Sequence, residues 1–227
     1  YDCEKMKPAD FLRLRDASYR TFSVIAAEKY ADIKFKLGAE VYLNRTLPNF
    51  DLCPLCIKGT SFLLTELMTT QYPLWVKDVL YQIQLQGITP ILAHVERYPH
   101  LLQSPQDLYD LVNRGVLVQI NANSLLQNDE RTKQILRLIK WNLVHVVATD
   151  THSPDKRAPR LYEAMRWIER QAGTQKAEKI ARAAPGARVV CRILTDGAGA
   201  EWPLSRKFGC EPAMAVDVLL RAHELGL

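Results

Sequence analysis

The sequence predicts an α/β protein built on a mostly parallel sheet. Three features carry this expectation. Apolar runs of strand length alternate with longer segments of helical period. The runs "FLLTEL", "ITPILAH", "VLVQINAN" and "LVHVVATD" are apolar on both faces, as strands are when layers cover both sides. Gly87 and Gly115 close two of the helical segments, where a left-handed C-terminal residue is favoured.

The elements follow in order. "KPADFLRLRDASYRTFSVIAAEKYA" spaces Phe11, Leu12, Leu14, Phe22, Ile25 and Ala26 by threes and fours, which gives an amphipathic helix with Pro8 in its first turn. "DIKFKLGAEVY" gives a short strand that stops at Gly38, with Glu40 just beyond. After a loop rich in Asn and Pro, "SFLLTEL" gives a buried strand ending at Glu66, and "PLWVKDVLYQIQLQG" a helix. "ITPILAH" is a strand ending at His94. "SPQDLYDLVNRG" is a helix with Ser104 as cap and Pro105 in its first turn. "VLVQINAN" is a strand ending at Asn121, and "NDERTKQILRLIKWN" a helix. "LVHVVATDTH" is a strand ending at Asp150, followed by helices in "PRLYEAMRWIERQAG" and "TQKAEKIARAA". From about Pro185 the texture changes: a strand-like piece in "GARVVCRILTDGAGAEWP" and a final helix in "AMAVDVLLRAHELG" do not fit the alternation.

The chain has 227 residues, enough for one domain with a sizeable core. Its 48% apolar and 24% charged content is that of a globular protein. The net charge of +5 mildly favours anionic partners. No dense basic run or signature of a nucleic-acid module is present, so no nucleic-acid partner is expected. No apolar run approaches the ~18 residues of a membrane helix, so no membrane insertion is expected. No charged-then-apolar leader opens the chain, which begins at Tyr1. Five cysteines without framework spacing point to a reducing compartment, the cytoplasm. Cys53 and Cys56 form a CxxC, read either as a metal or redox pair or as two partly buried thiols in a loop.

In parallel α/β architectures, function gathers where strands end. Glu40, Glu66, His94, Asn121, and Asp150 with His152, each fall at or just beyond the end of an apolar run. Carboxylates and imidazoles are the donors divalent metals accept, and an Asp-x-His pair can present both to one ion. Each residue also has a plainer role: His94 as a hydrogen-bonded core histidine, Glu40 or Glu66 as a solvated acid, Asp150 as a helix cap. Position makes the joint reading the stronger one. Basic residues accompany two of these places: Arg97 after His94, and Lys156, Arg157 and Arg160 after His152. Cations near a helix N-terminus oppose the macrodipole, and a bound anion would account for them. No GxSxG, GxxxxGK[ST] or GxGxxG motif is present, and Cys191-Arg192 lacks a phosphate-cradling loop.

The segments "PILAHVERY", "VQINANSL" and "HVVATDTHSPDKRAPRL", with "KLGAEVYL" and "FLLTEL" in the same order, resemble the bacterial tyrosine phosphatases encoded in capsule and exopolysaccharide clusters. These belong to the polymerase and histidinol phosphatase (PHP) superfamily. The resemblance covers residues 1–184, leaving 185–227 as a divergent tail. It implies a distorted (β/α)7 TIM-like PHP barrel and a cluster of up to three divalent ions, manganese foremost, that hydrolyse phosphotyrosine without a cysteine. By position it implies Glu40, Glu66, His94, Asp150 and His152 as metal ligands. Arg97 and Arg157 would be the catalytic phosphate-binding residues, and Asn121 and Asn123 would line the pocket. The implied partner is the phosphotyrosine tail of a bacterial tyrosine kinase in capsule or exopolysaccharide synthesis. The family's opening strand with its His-x-His pair has no counterpart here, so a barrel lacking its first strands is expected. Two alternatives follow: a small-molecule phosphoesterase such as a histidinol phosphatase, and a truncated, catalytically dead fragment that only binds phosphotyrosine.

Overall fold

The computed structural model describes residues 1–29, 35–70, 72–152 and 159–183. Five parallel strands form one sheet in sequential order: β1 (Glu40–Tyr42), β2 (Phe62–Glu66), β3 (Thr89–Leu92), β4 (Leu117–Asn121) and β5 (Val146–Ala148). The order never reverses, so each crossover carries the chain one place further in the same direction. Parallel pairing requires long crossovers. Helix α1 (Pro8–Lys29) precedes the sheet, and α2 (Val76–Leu85) joins β2 to β3. Helices α3 (Pro99–Gln103) and α4 (Pro105–Asn113) join β3 to β4, and α5 (Ala122–Leu125) and α6 (Glu130–Lys140) join β4 to β5. Helices α7 (Leu161–Ala172) and α8 (Thr174–Ala183) follow.

Within the described residues the expected helices form, and α1 opens on Pro8, while the expected final helix in "AMAVDVLLRAHELG" lies outside them. Gly87 and Gly115 take φ of 75° and 86° just past α2 and α4. Ser104 does not cap α4 with its side chain. It closes α3 instead, its N–H donating to the His100 carbonyl. The side-chain cap lies at Asp129, which accepts from the Thr132 N–H at the start of α6.

The first strand differs from expectation. Glu40 opens β1 rather than following it. Residues 37–39 pair with a loop instead: Ala39 N–H donates to the Leu55 carbonyl, and Lys58 N–H to the Leu37 carbonyl. A Cβ on Gly38 would come within 3.3 Å of Ile57, so glycine permits this close approach. Along the other side of β1, Tyr42 N–H donates to the Tyr1 carbonyl and the Tyr1 amino group to the Glu40 carbonyl. Tyr1 thereby meets Val41 in the manner of a parallel neighbour.

The core lies between the strands and the helices that return along them. Val41, Leu63, Leu92, Val118 and Ile120 of the sheet are buried with Leu80, Ile83, Leu108, Leu111, Ile135 and Ile168 of the helices. Each such side chain contributes about 1.5–3 kcal/mol by leaving water. Among the described residues no helix is long and apolar enough to cross a membrane. The tail from 185 lies outside the described residues.

Candidate metal centre

Pairing register places the first two acids. Glu40 is opposite Leu64 and Tyr42 opposite Glu66. Paired residues of parallel strands share a face, and alternate residues along a strand do too. Glu40 and Glu66 therefore project from one face. On the neighbouring strand, Ala93 N–H still donates to the Thr65 carbonyl. His94 then leaves the ladder in left-handed backbone, φ 37°. That conformation costs a non-glycine residue roughly 1–3 kcal/mol, so something must hold it. The Gln119 side chain does so: its Oε1 accepts the His94 N–H at 2.6 Å.

The buried His94 ring meets both acids. Its Nε2 is 3.1 Å from Glu40 Oε1 and 3.4 Å from Glu66 Oε2. Its Nδ1 is 3.3 Å from the Tyr98 hydroxyl, which accepts the Leu67 N–H at 3.0 Å. Burial pulls the imidazole pKa down, but the two carboxylates more than reverse this and leave it at about 9. Glu40 and Glu66 thus favour the protonated imidazole between them. The folded-state pKa lies above the ordinary 6.5, so its contribution to stability is complete below about 6.5 and lost as pH rises through about 9. To serve as a ligand through Nε2, His94 would have to give up that proton. Calorimetry of Mn2+ binding in buffers of different ionisation enthalpy at pH 7.5 is expected to show proton release, with affinity rising from pH 7 to 9.

The donor set fits a divalent ion. The donor atoms of Glu40, Glu66 and His94 all lie within 4.8 Å of one another. Ligands about 2.1 Å from a shared ion stand roughly 3.0–3.4 Å apart, as the two His94 contacts do. Two carboxylates and an imidazole suit Mn2+, Fe2+ or Zn2+ rather than soft thiophilic ions.

A second group adjoins this one. Asp150, two residues beyond β5, is also left-handed at φ 46°. Its Oδ2 accepts from Arg97 Nη2 at 3.0 Å and from Asn121 Nδ2 at 3.4 Å. His152 Nδ1 lies 2.6 Å from the Asp150 carbonyl oxygen and 3.6 Å from its Oδ1. The Arg97 charge also bears on His94, opposing its protonation. Asp150 and His152 stand outside the trio of Glu40, Glu66 and His94 and are joined to it through Gln119 and Asn121. Asn123 lies in α5, its carbonyl accepting from Gln127. Lys156 and Arg157 lie outside the described residues. Arg160 has a local explanation in place of a bound anion: its Nε is 3.3 Å from Glu163 Oε1. Cys56 is buried and its thiol pushed up to about 11 by that burial, which accords with a structural loop cysteine.

Three residues escaped the sequence reading. Gln119 and Tyr98 hold His94, as described. Glu96 is buried between Arg97 and β4, its Oε1 accepting from the Asn121 N–H at 3.3 Å and the Ser124 hydroxyl at 3.0 Å. Its Oε2 is buried without a hydrogen-bond partner, and burial raises its carboxyl pKa. A signal for Gln119 and Glu96 was present: a polar residue inside "VLVQIN" and an acid inside "AHVERY" demand buried partners.

Comparison with known proteins bears on this geometry. A family model described as capsular polysaccharide synthesis, CpsB/CapC, matches residues 4–190. The tyrosine-protein phosphatase CpsB of Streptococcus agalactiae serotype III (strain NEM316) is 30% identical over 181 residues, 73% of this chain and 73% of that protein. The tyrosine-protein phosphatase YwqE of Bacillus subtilis (strain 168) is 32% identical over 123 residues, 53% of this chain and 48% of its own. Among solved structures, the fold is similar to a chain from the crystal structures of YwqE from Bacillus subtilis and CpsB from Streptococcus pneumoniae. Those are described as unique metal-dependent tyrosine phosphatases. The TM-score is 0.68 at 24% identity, over 74% of this chain and 70% of that one, and this likeness speaks to the fold.

Proposed function

The chain belongs to the CpsB/CapC capsular polysaccharide synthesis family, and from that premise we propose that it is a metal-dependent protein-tyrosine phosphatase. Its substrate in this reading is the phosphotyrosine tail of a bacterial tyrosine kinase that governs capsule or exopolysaccharide synthesis, in the cytoplasm. The observation that carries the reading is the convergence of Glu40, Glu66 and His94, from three strands, on one point. Sequential parallel strands without reversal support a distorted (β/α)7 barrel of the PHP type, in which such residues face one rim.

Glu40, Glu66 and His94 would hold one divalent ion, Mn2+ by preference, and Asp150 and His152 would complete a cluster. Such ions lower the pKa of water and neutralise charge on phosphoryl oxygens. The chain's own residues do the rest. Tyr98 and Gln119 fix the His94 ring and backbone, so the imidazole would be already oriented to hold a cation. Arg97 presents a planar fork to the phosphate, as Arg157 would from its own segment. In the resting site that fork is held by Asp150, so an incoming phosphate competes with a carboxylate already in place. Asn121 adds an amide donor beside it, and Asn123 would line the same pocket.

The test is hydrolysis of a tyrosine-rich phosphopeptide against histidinol phosphate, in Mn2+ and after chelation with EDTA. Peptide turnover that is lost on chelation and restored by Mn2+ is the expected result. Preference for histidinol phosphate would overturn the substrate class. Undiminished turnover in EDTA would overturn the metal-dependent mechanism.

A further inference from the structure

Gln119 bonds to the His94 backbone on one side and to Asn121 on the other, and it lies on β4, between the strands that deliver His94 and Asp150. It is only 4% exposed, and His94 and Asn121 are 4% and 5% exposed. The orientation of its amide is over-determined. The His94 backbone N–H can only donate, so the atom facing it at 2.6 Å is the Gln119 oxygen. The Gln119 nitrogen therefore faces Asn121, and must meet its oxygen at 3.0 Å. The Asn121 nitrogen is left for Asp150 Oδ2 at 3.4 Å. Starting from Asp150, whose Oδ2 already accepts from the Arg97 guanidinium, gives the same assignment in reverse. Flipping either amide breaks two bonds at once. The chain of polar contacts thus runs with one sense from the left-handed His94 backbone to the carboxylate that holds Arg97.

We propose that Gln119 is a positioning residue whose single amide sets His94 and, through Asn121, the Asp150–Arg97 pair in mutual register. The inference rests on the preceding reading, in which His94 serves a cation and Arg97 a phosphoryl group. It adds what couples them: metal and phosphate engagement share a buried amide that touches neither ligand. Glu96 buttresses the relay by accepting the Asn121 backbone N–H.

The experiment compares Gln119→Met, Asn121→Leu and the double variant. Three quantities are read: hydrogen exchange at the His94 amide in the metal-free protein, Mn2+ affinity by calorimetry, and inhibition by inorganic phosphate. Gln119→Met is expected to speed exchange at His94 and to weaken both Mn2+ and phosphate, each by about tenfold. Asn121→Leu is expected to weaken phosphate and to leave His94 exchange and Mn2+ binding at the Glu40–Glu66–His94 group unchanged. The double variant is expected to be no worse for phosphate than Gln119→Met, because both changes break one relay. Unaltered His94 exchange in Gln119→Met, or additive losses of phosphate affinity, would overturn the proposal. If Gln119→Met does not fold, Gln119→Glu keeps an acceptor for His94 and removes the donor to Asn121. It should then reproduce Asn121→Leu, and wild-type behaviour would overturn the proposal equally. A wild-type protein that binds neither Mn2+ nor phosphate overturns the phosphatase reading, while His94 exchange in the metal-free chain still decides the role of Gln119.

Discussion

Replacing His94 with alanine is expected to abolish Mn2+ binding at the Glu40–Glu66–His94 group and to lower phosphotyrosine turnover by about a thousandfold or more. The imidazole contributes the nitrogen donor of the trio, 3.1 and 3.4 Å from the two acids. Without it, two half-buried carboxylates face each other with no cation between them. In the metal-free protein the same change removes the cation that both acids oppose. Loss of one partner from a buried ion pair costs about 3–5 kcal/mol at the upper end, so the variant should also melt earlier. Calorimetry with Mn2+, a melt followed by circular dichroism, and a phosphopeptide assay separate these effects. A variant that folds, retains stoichiometric Mn2+ and turns over normally would remove the site from the mechanism.

Asp150→Ala is expected to lower turnover by about a hundredfold or more through two losses. The first is metal: Asp150 is proposed to complete the cluster with His152, so the number of Mn2+ ions bound per chain should fall. The second is order: Arg97 Nη2 and Asn121 Nδ2 both donate to Asp150 Oδ2, and both lose their acceptor. A guanidinium released from its carboxylate samples many rotamers, so KM for the phosphopeptide should rise as kcat falls. Asp150→Asn preserves an acceptor without the charge, and is expected to recover part of KM but little of kcat. Unchanged Mn2+ stoichiometry together with unchanged kinetics in Asp150→Ala would show that this carboxylate plays neither part.

Much of this protein was legible one residue at a time. The apolar runs, the Pro and Gly punctuation and the alternation of period two with period three to four are local properties, and they sufficed for parallel strands interleaved with helices. Position at strand ends singled out Glu66, His94, Asn121 and Asp150 for the same reason. Glu40 was also named, although β1 begins at Glu40 rather than ending before it. Its strand could not be bounded because residues 37–39 pair with a loop some twenty residues further on, a contact that no local pattern encodes.

The details that give the site its chemistry belong to the tertiary structure. His94 bonds Gln119 across 25 positions, Arg97 reaches Asp150 across 53, and His94 meets Glu40 across 54. The left-handed turns at His94 and Asp150 are unfavourable in isolation and exist because distant partners hold them. A raised imidazole pKa likewise requires two carboxylates from other strands. The sequence by itself determined which residue types stand at the ends of the strands, because side-chain period and turn chemistry act over a few residues. Only the folded sheet decided which of them touch, because register, burial and hydrogen-bond direction arise when strands remote in sequence lie side by side.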